Sequence, residues 1–136
     1  MSSPTEHPLQ VYARAWAAGD LRTMFAMYHD EVVFRYFGTH PLAGVHRGKA
    51  AATAAMKDFS LRTQRQLVRL VEVMVGEDCG AIVSRESFAQ GDTRVEMERM
   101  LRYRLDGGKI IECRVYDEDQ RLVDSLVVAQ ALPPTP

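Results

Sequence analysis

Residues 93–124 read TRVEMERMLRYRLDGGKIIECRVYDEDQRLVD. Over 93–105, Val95, Met97, Arg99, Leu101, Tyr103 and Leu105 share one face, and Arg94, Glu96, Glu98, Met100, Arg102 and Arg104 share the other. A period of two with one apolar row belongs to a strand buried on one side. Asp106-Gly107-Gly108 then supplies a hairpin turn. In the next strand, Ile111, Cys113, Val115 and Asp117 alternate with Ile110, Glu112, Arg114 and Tyr116. The acids Asp117, Glu118 and Asp119 favour a helix N-terminus, and Leu122, Val123, Leu126 and Val127 share one face of the segment 117–132, which reads as a C-terminal helix. Arg99 is the exception on its apolar row, because an inward guanidinium must be paired or reach water. Asp117 ends the neighbouring apolar row where a pocket mouth would lie, so both are inward candidates.

Working outward, 66–75 and 80–90 are two more strands joined at Gly76-Glu77-Asp78, and Gln90-Gly91-Asp92 breaks before the strand at 93. Ahead of this meander the periodicity is helical. Leu9, Tyr12, Ala13 and Trp16 recur three and four apart, Gly19-Asp20 stops that helix and caps the next, and Leu21, Met24, Phe25 and Tyr28 repeat through 20–29. A short strand is expected over 32–37, a loop over 38–48 and a helix from Lys49 onward. Helices first and a strand meander after them give an α+β fold with an antiparallel sheet.

The chain of 136 residues suits one domain spanning 1–136, with loose ends at about 1–7 and 132–136. Seventeen basic against 18 acidic side chains give a net charge of -1, which offers no footprint for nucleic acid or an anionic membrane. The expected partner is a hydrophobic small molecule. Neither a secretory signal nor a membrane span is visible, and Cys79 and Cys113 form no CxxC pair, so a cytoplasmic protein with reduced thiols is expected. His7, His29, His40 and His46 build no HExxH motif or close cluster, and no metal site is expected.

Three strings, YARAWAAGD at 12–20, HPLAGVHRGKAA at 40–51 and LDGGKIIECRVYDEDQRLVD at 105–124, resemble the SnoaL-like branch of the nuclear transport factor 2 (NTF2) and ketosteroid isomerase superfamily. The resemblance implies a cone, with a strongly curved antiparallel sheet wrapped around N-terminal helices, a deep pocket between them, and a homodimer through the outer sheet face. It also implies chemistry with no metal and no organic cofactor. By resemblance to ketosteroid isomerases, Tyr12 falls on the oxyanion tyrosine, while Tyr36 and Leu101 stand where the base and the second donor would be. By resemblance to limonene epoxide hydrolase, Arg99 matches the arginine, while Leu101 and Val115 replace the aspartates. What stays open is a SnoaL-type cofactor-free isomerase, cyclase or hydrolase, moving a proton on a carbonyl-bearing molecule in an apolar pocket. The alternative is a non-catalytic ligand-binding or dimerisation module of the same fold.

The catalytic candidates are therefore Asp117, Arg99, Tyr12 and Glu86. Asp117 is an acid/base group whose pKa burial would raise, or the N-cap of the last helix. Arg99 is a substrate clamp or half of an ion pair with Asp117 or Glu86. Tyr12 is a pocket donor or a core aromatic. Glu86 lies where a bulge could turn it either way. The pocket candidates are Trp16, Phe34, Tyr36, His40, Met97, Leu101, Tyr103, Cys113 and Val115. Tyr36 and Tyr103 order a ligand or pack as core, and Cys113 reads as a small hydrophobe. His40 rims the pocket or is solvated. Arg62, Arg65 and Arg69 read as a solvated basic edge. Glu96, Glu98, Arg102 and Arg104 allow a polar dimer interface.

Overall fold

In a computed structural model of the protein, which describes residues 6–129, the first helix starts where its caps require. The His7 ring accepts the Leu9 amide, Pro8 occupies the first turn, and Gly19, in the left-handed region at φ 71°, closes α1 (Pro8–Ala18). Asp20 accepts the Thr23 amide and so caps α2 (Leu21–Ala26). The helix expected to run to His29 stops at Ala26, and β1 (Tyr28–Tyr36) begins instead. Tyr28 keeps helical spacing with Met24, but sheet pairing with Ile110 claims its backbone. Apart from Glu6 and His7, the ends expected to be loose lie outside the described residues, as does the tail of the final segment past Ala129.

The expected loop over 38–48 contains a strand, β2 (Gly44–Arg47), which pairs antiparallel with β1 from Val33↔Arg47 to Tyr36↔Gly44. Four residues are too few for alternation to be legible. The helix α3 (Lys49–Thr63) follows, then β3 (Gln66–Val75), β4 (Cys79–Gln90), β5 (Thr93–Asp106), β6 (Lys109–Asp117) and α4 (Gln120–Ala129). The last four strands form the expected antiparallel meander, and the sheet order is β2-β1-β6-β5-β4-β3. One junction departs from antiparallel pairing, since β1 lies parallel to β6. Register shifts between Leu67 and Arg69 and between Leu70 and Glu72 mark bulges in β3, devices that bend a sheet.

Burial along β5 follows the alternation, with Met97, Arg99, Leu101, Tyr103 and Leu105 inward. Helix α1 packs on β3 and α3 on β1. Their buried side chains, Leu9, Tyr12, Trp16, Ala52, Ala55 and Phe59, form one core with the inner sheet face. The three acids after β6 divide three tasks. Asp117 turns inward to Arg99, the Glu118 carboxylate accepts the Glu98 amide at 2.8 Å, and Asp119 accepts the Leu122 amide at 3.0 Å. Helix α4 is therefore capped by Asp119, not by Asp117, because the sheet register sets Asp117 opposite Arg99. Gly38, at φ 97°, admits α4 closely, since a Cβ there would meet the Asp124 carboxylate at 2.1 Å. No helix among the described residues is long and apolar enough to cross a membrane.

Candidate active site

A cavity of about 680 Å³ opens between the inner sheet face and helices α1, α2 and α3. Its apolar wall is built from Trp16, Met24, Phe34, Met56, Leu101 and Val115. Leu21 and Phe25, 58% and 37% exposed, belong to its open side, together with exposed Ala50, Ala54 and Lys57 of α3. Helix α3 presents two faces: Ala52, Ala55 and Phe59 enter the core, while Ala50, Thr53, Ala54, Lys57 and Ser60 border the cavity. Small residues at helical spacing hold that wall back and leave the space.

Sheet register assembles the polar part of the wall. Ser84 on β4, Arg99 on β5 and Asp117 on β6 are paired in one row across three strands. The Arg99 guanidinium grips Asp117 through Nε at 2.5 Å and Nη2 at 3.4 Å, and its Nη1 lies 3.7 Å from Glu86. Phe59 and Phe88 flank it at 4.7 and 5.4 Å, so the charge sits against aromatic faces. Glu86 is fully buried two residues beyond Ser84 on the inner face, where it accepts from the Ser84 hydroxyl at 2.7 Å and from Arg65 Nη1. Arg65 reaches it because Gln64, at φ 48°, ends α3 in the left-handed region and turns the chain into β3. Arg99 and Arg65 face the cavity, whereas Glu86 and Asp117 stand behind them.

Electrostatics follow from this arrangement. Burial alone would raise the Glu86 pKa, but Arg99, Arg65 and the Ser84 hydroxyl outweigh it and hold the carboxyl below its ordinary value. Glu86 is thus an ionised anchor for two arginines, not the burial-raised acid that a proton carrier would be. For Arg99, desolvation works against the charge, yet Asp117 and Glu86 push its pKa upward, so the guanidinium stays charged. Tyr12 and Tyr28 share a hydrogen bond between their hydroxyls at another part of the wall, and Tyr28 also reaches the Met56 sulfur at 3.6 Å. Burial pushes both phenols well above their ordinary value, which leaves them neutral hydrogen-bond donors.

Of the sequence candidates, Tyr12, Trp16, Phe34, Tyr36, Arg99, Leu101 and Val115 line the cavity. The others do not. Met97 and Cys113 are buried in the core, and Tyr103 packs edge-on behind Tyr12 at 5.5 Å between ring centroids. Burial raises the Cys113 thiol pKa, consistent with a small hydrophobe. His40 neither rims the cavity nor meets solvent. It is 4% exposed and packs edge-on to Tyr36 and Phe59, its Nδ1 accepts the Leu42 amide, and burial lowers its pKa. Arg65 corrects the reading of a solvated basic edge, because it turns inward to Glu86 while Arg62 pairs with Asp58 along α3 at 2.8 Å. Sequence reasoning also missed Tyr28 and the cavity face of α3. The spacing of Ala50, Thr53, Ala54 and Lys57 was the available signal for that face.

The family model described as a SnoaL-like domain matches residues 9–113. A search of curated protein sequences finds no match. Among solved structures, a Xanthomonas campestris protein of unknown function with a cystatin-like fold is 23% identical and superposes with a TM-score of 0.78, covering 88% of this chain and 94% of its own. A Mesorhizobium loti protein classed as a SnoaL-like polyketide cyclase is 20% identical, with a TM-score of 0.68 over 80% of this chain and 95% of its own. A Rhodopseudomonas palustris protein classed as an isomerase is 20% identical, with a TM-score of 0.67 over 92% and 98% respectively. At these identities the likeness shows the fold.

Proposed function

The chain belongs to the SnoaL-like domain family, and on that premise we propose that its cavity binds an apolar, carbonyl-bearing small molecule and transfers a proton on it without a cofactor. The observation that carries this reading is the charged Arg99 in a cavity wall that is otherwise mostly apolar, held in place from behind by Asp117 and Glu86. A carbonyl oxygen set against Arg99 and Arg65 meets fixed positive charge where an enolate would develop, in a site of low dielectric. The neutral Tyr12–Tyr28 pair adds one donor if the Tyr28 hydroxyl turns its proton from the Met56 sulfur, a weak acceptor, to the ligand oxygen. With the carboxylates behind the arginines, the proton leaves the α-carbon to solvent entering the open side, or to a basic group of the substrate itself. Neighbours classed as polyketide cyclase and isomerase support this class of chemistry.

2-Tetralone in deuterium oxide is a suitable probe, because NMR follows exchange at its α-carbons. Exchange faster than in buffer is expected, and Ala54→Trp, which fills the cavity at an exposed helix position, removes the acceleration without unfolding the chain. Equal rates with and without protein would discard the proton-transfer reading. A second reading, a ligand carrier, is favoured by the absence of any carboxylate among the residues described at the cavity wall. Saturable binding with no exchange above background would select it.

The reading includes a homodimer. Val68, Val71 and Met74 on β3 and Met100 on β5, two strands away, are exposed at 37–47%, apolar side chains that a second copy could cover. This adds apolar side chains to the charged contact expected from Glu96, Glu98, Arg102 and Arg104. Sedimentation equilibrium should give twice the chain mass, and a monomer at micromolar concentration removes this part.

A further inference from the structure

The charged side chains bordering the cavity are Lys57, Arg65 and Arg99, all cationic, and no acidic residue borders it among the described residues. We infer that the ligand is an anion, an apolar molecule in which the carbonyl set against Arg65 and Arg99 is flanked by one carboxylate or belongs to an acidic enol. This rests on the reading of the cavity as a ligand site and narrows its substrate class.

The inward charges are balanced before any ligand arrives, with Glu86 and Asp117 opposite Arg65 and Arg99. What remains is direction. Asp117 takes Nε and Nη2 of Arg99, and Glu86 takes Nη1 of Arg65, whose Nε reaches the Ser60 hydroxyl at 3.3 Å. Neither Arg65 Nη2 nor Arg99 Nη1 makes a hydrogen bond among the described residues, and a guanidinium carries five N–H donors. A planar, two-oxygen anion satisfies such donors with charge-assisted bonds, which are shorter and stronger than those to a neutral carbonyl. Lys57, exposed on the open side, gives that entrance a positive charge although the whole chain carries -1. An amine would meet three like charges and, among the described residues, no carboxylate at the wall.

Isothermal titration calorimetry of the full chain with 2-naphthoate and its neutral isostere 2-naphthamide separates charge from shape. The expected result is one site per chain, with a Kd for naphthoate at least tenfold below that for the amide, and a preference that shrinks in Lys57→Gln and with added salt. Equal affinities, or tighter binding of the amide, overturn the anion inference and leave the cavity reading standing. Binding of neither overturns both. Because the comparison is made on the unaltered protein, it does not depend on any arginine variant folding.

Discussion

Glu86→Gln should unfold with about 3–5 kcal/mol less free energy than the parent chain, the cost expected when one member of a buried charged set is neutralised. Glu86 has no exposed surface, and Arg65 Nη1, Arg99 and the Ser84 hydroxyl all converge on it. An amide would turn one NH2 group toward a guanidinium and leave two cations competing for one carbonyl oxygen. For a chain of this length the loss corresponds to a Tm lower by roughly 10–20 °C. The pH dependence has a definite sign. Burial raises the Glu86 pKa and the arginines more than reverse that, so its folded pKa lies below the unfolded value near 4.5. A depressed carboxyl pKa stabilises the fold fully above the unfolded value and loses that stabilisation as pH falls through the folded one. The gap between parent and Glu86→Gln in denaturant melts should therefore be widest at neutral pH and narrow below about pH 4.5. A gap of under 1 kcal/mol at neutral pH, or one that widens on acidification, would contradict the role given to Glu86.

The parts of the fold legible in the sequence are those where one physical rule acts alone. Residues 93–105 alternate because one sheet face is buried and the other exposed, and the structure keeps that division residue by residue up to Leu105. The inward placement of Arg99 and Asp117 followed from it. The role of Asp117 did not, because a helix cap and an ion pair use the same carboxylate, and only the Arg99↔Asp117 register with Asp119 two residues on decides between them. The spacing of Tyr28 from Met24 fits a helix equally well, and the pairing with β6 that makes it a strand residue is a contact across 82 residues. Arg65 was hidden in a run with Arg62 and Arg69. A single left-handed residue, Gln64, sends it inward, and backbone handedness of that kind is hard to read from composition. His40 misled for a related reason: a histidine before proline suits a solvated turn, yet the loop folds back against Tyr36 and Phe59. The cavity itself is made by three helices and three strands, so no continuous stretch of sequence carries it.

Arg99 is the residue on which the functional account turns, and removing it alone would strand Asp117. The informative variant is therefore the double substitution Arg99→Met with Asp117→Leu, which removes one charge of each sign without leaving a buried polar group and keeps Arg65 paired with Glu86. Its fold should survive, as read by circular dichroism and by a cooperative melt, since replacing a buried ion pair by well-packed apolar side chains of similar volume is often near neutral in stability. Loss of a donor aimed at a developing oxyanion costs about 10²–10³ in rate. The direct measurement is 2-tetralone α-proton exchange in deuterium oxide by the folded double variant beside the parent. The account requires the parent to accelerate exchange and the variant to lose at least a hundredfold of that acceleration; a folded variant that exchanges the probe as fast as the parent would contradict it.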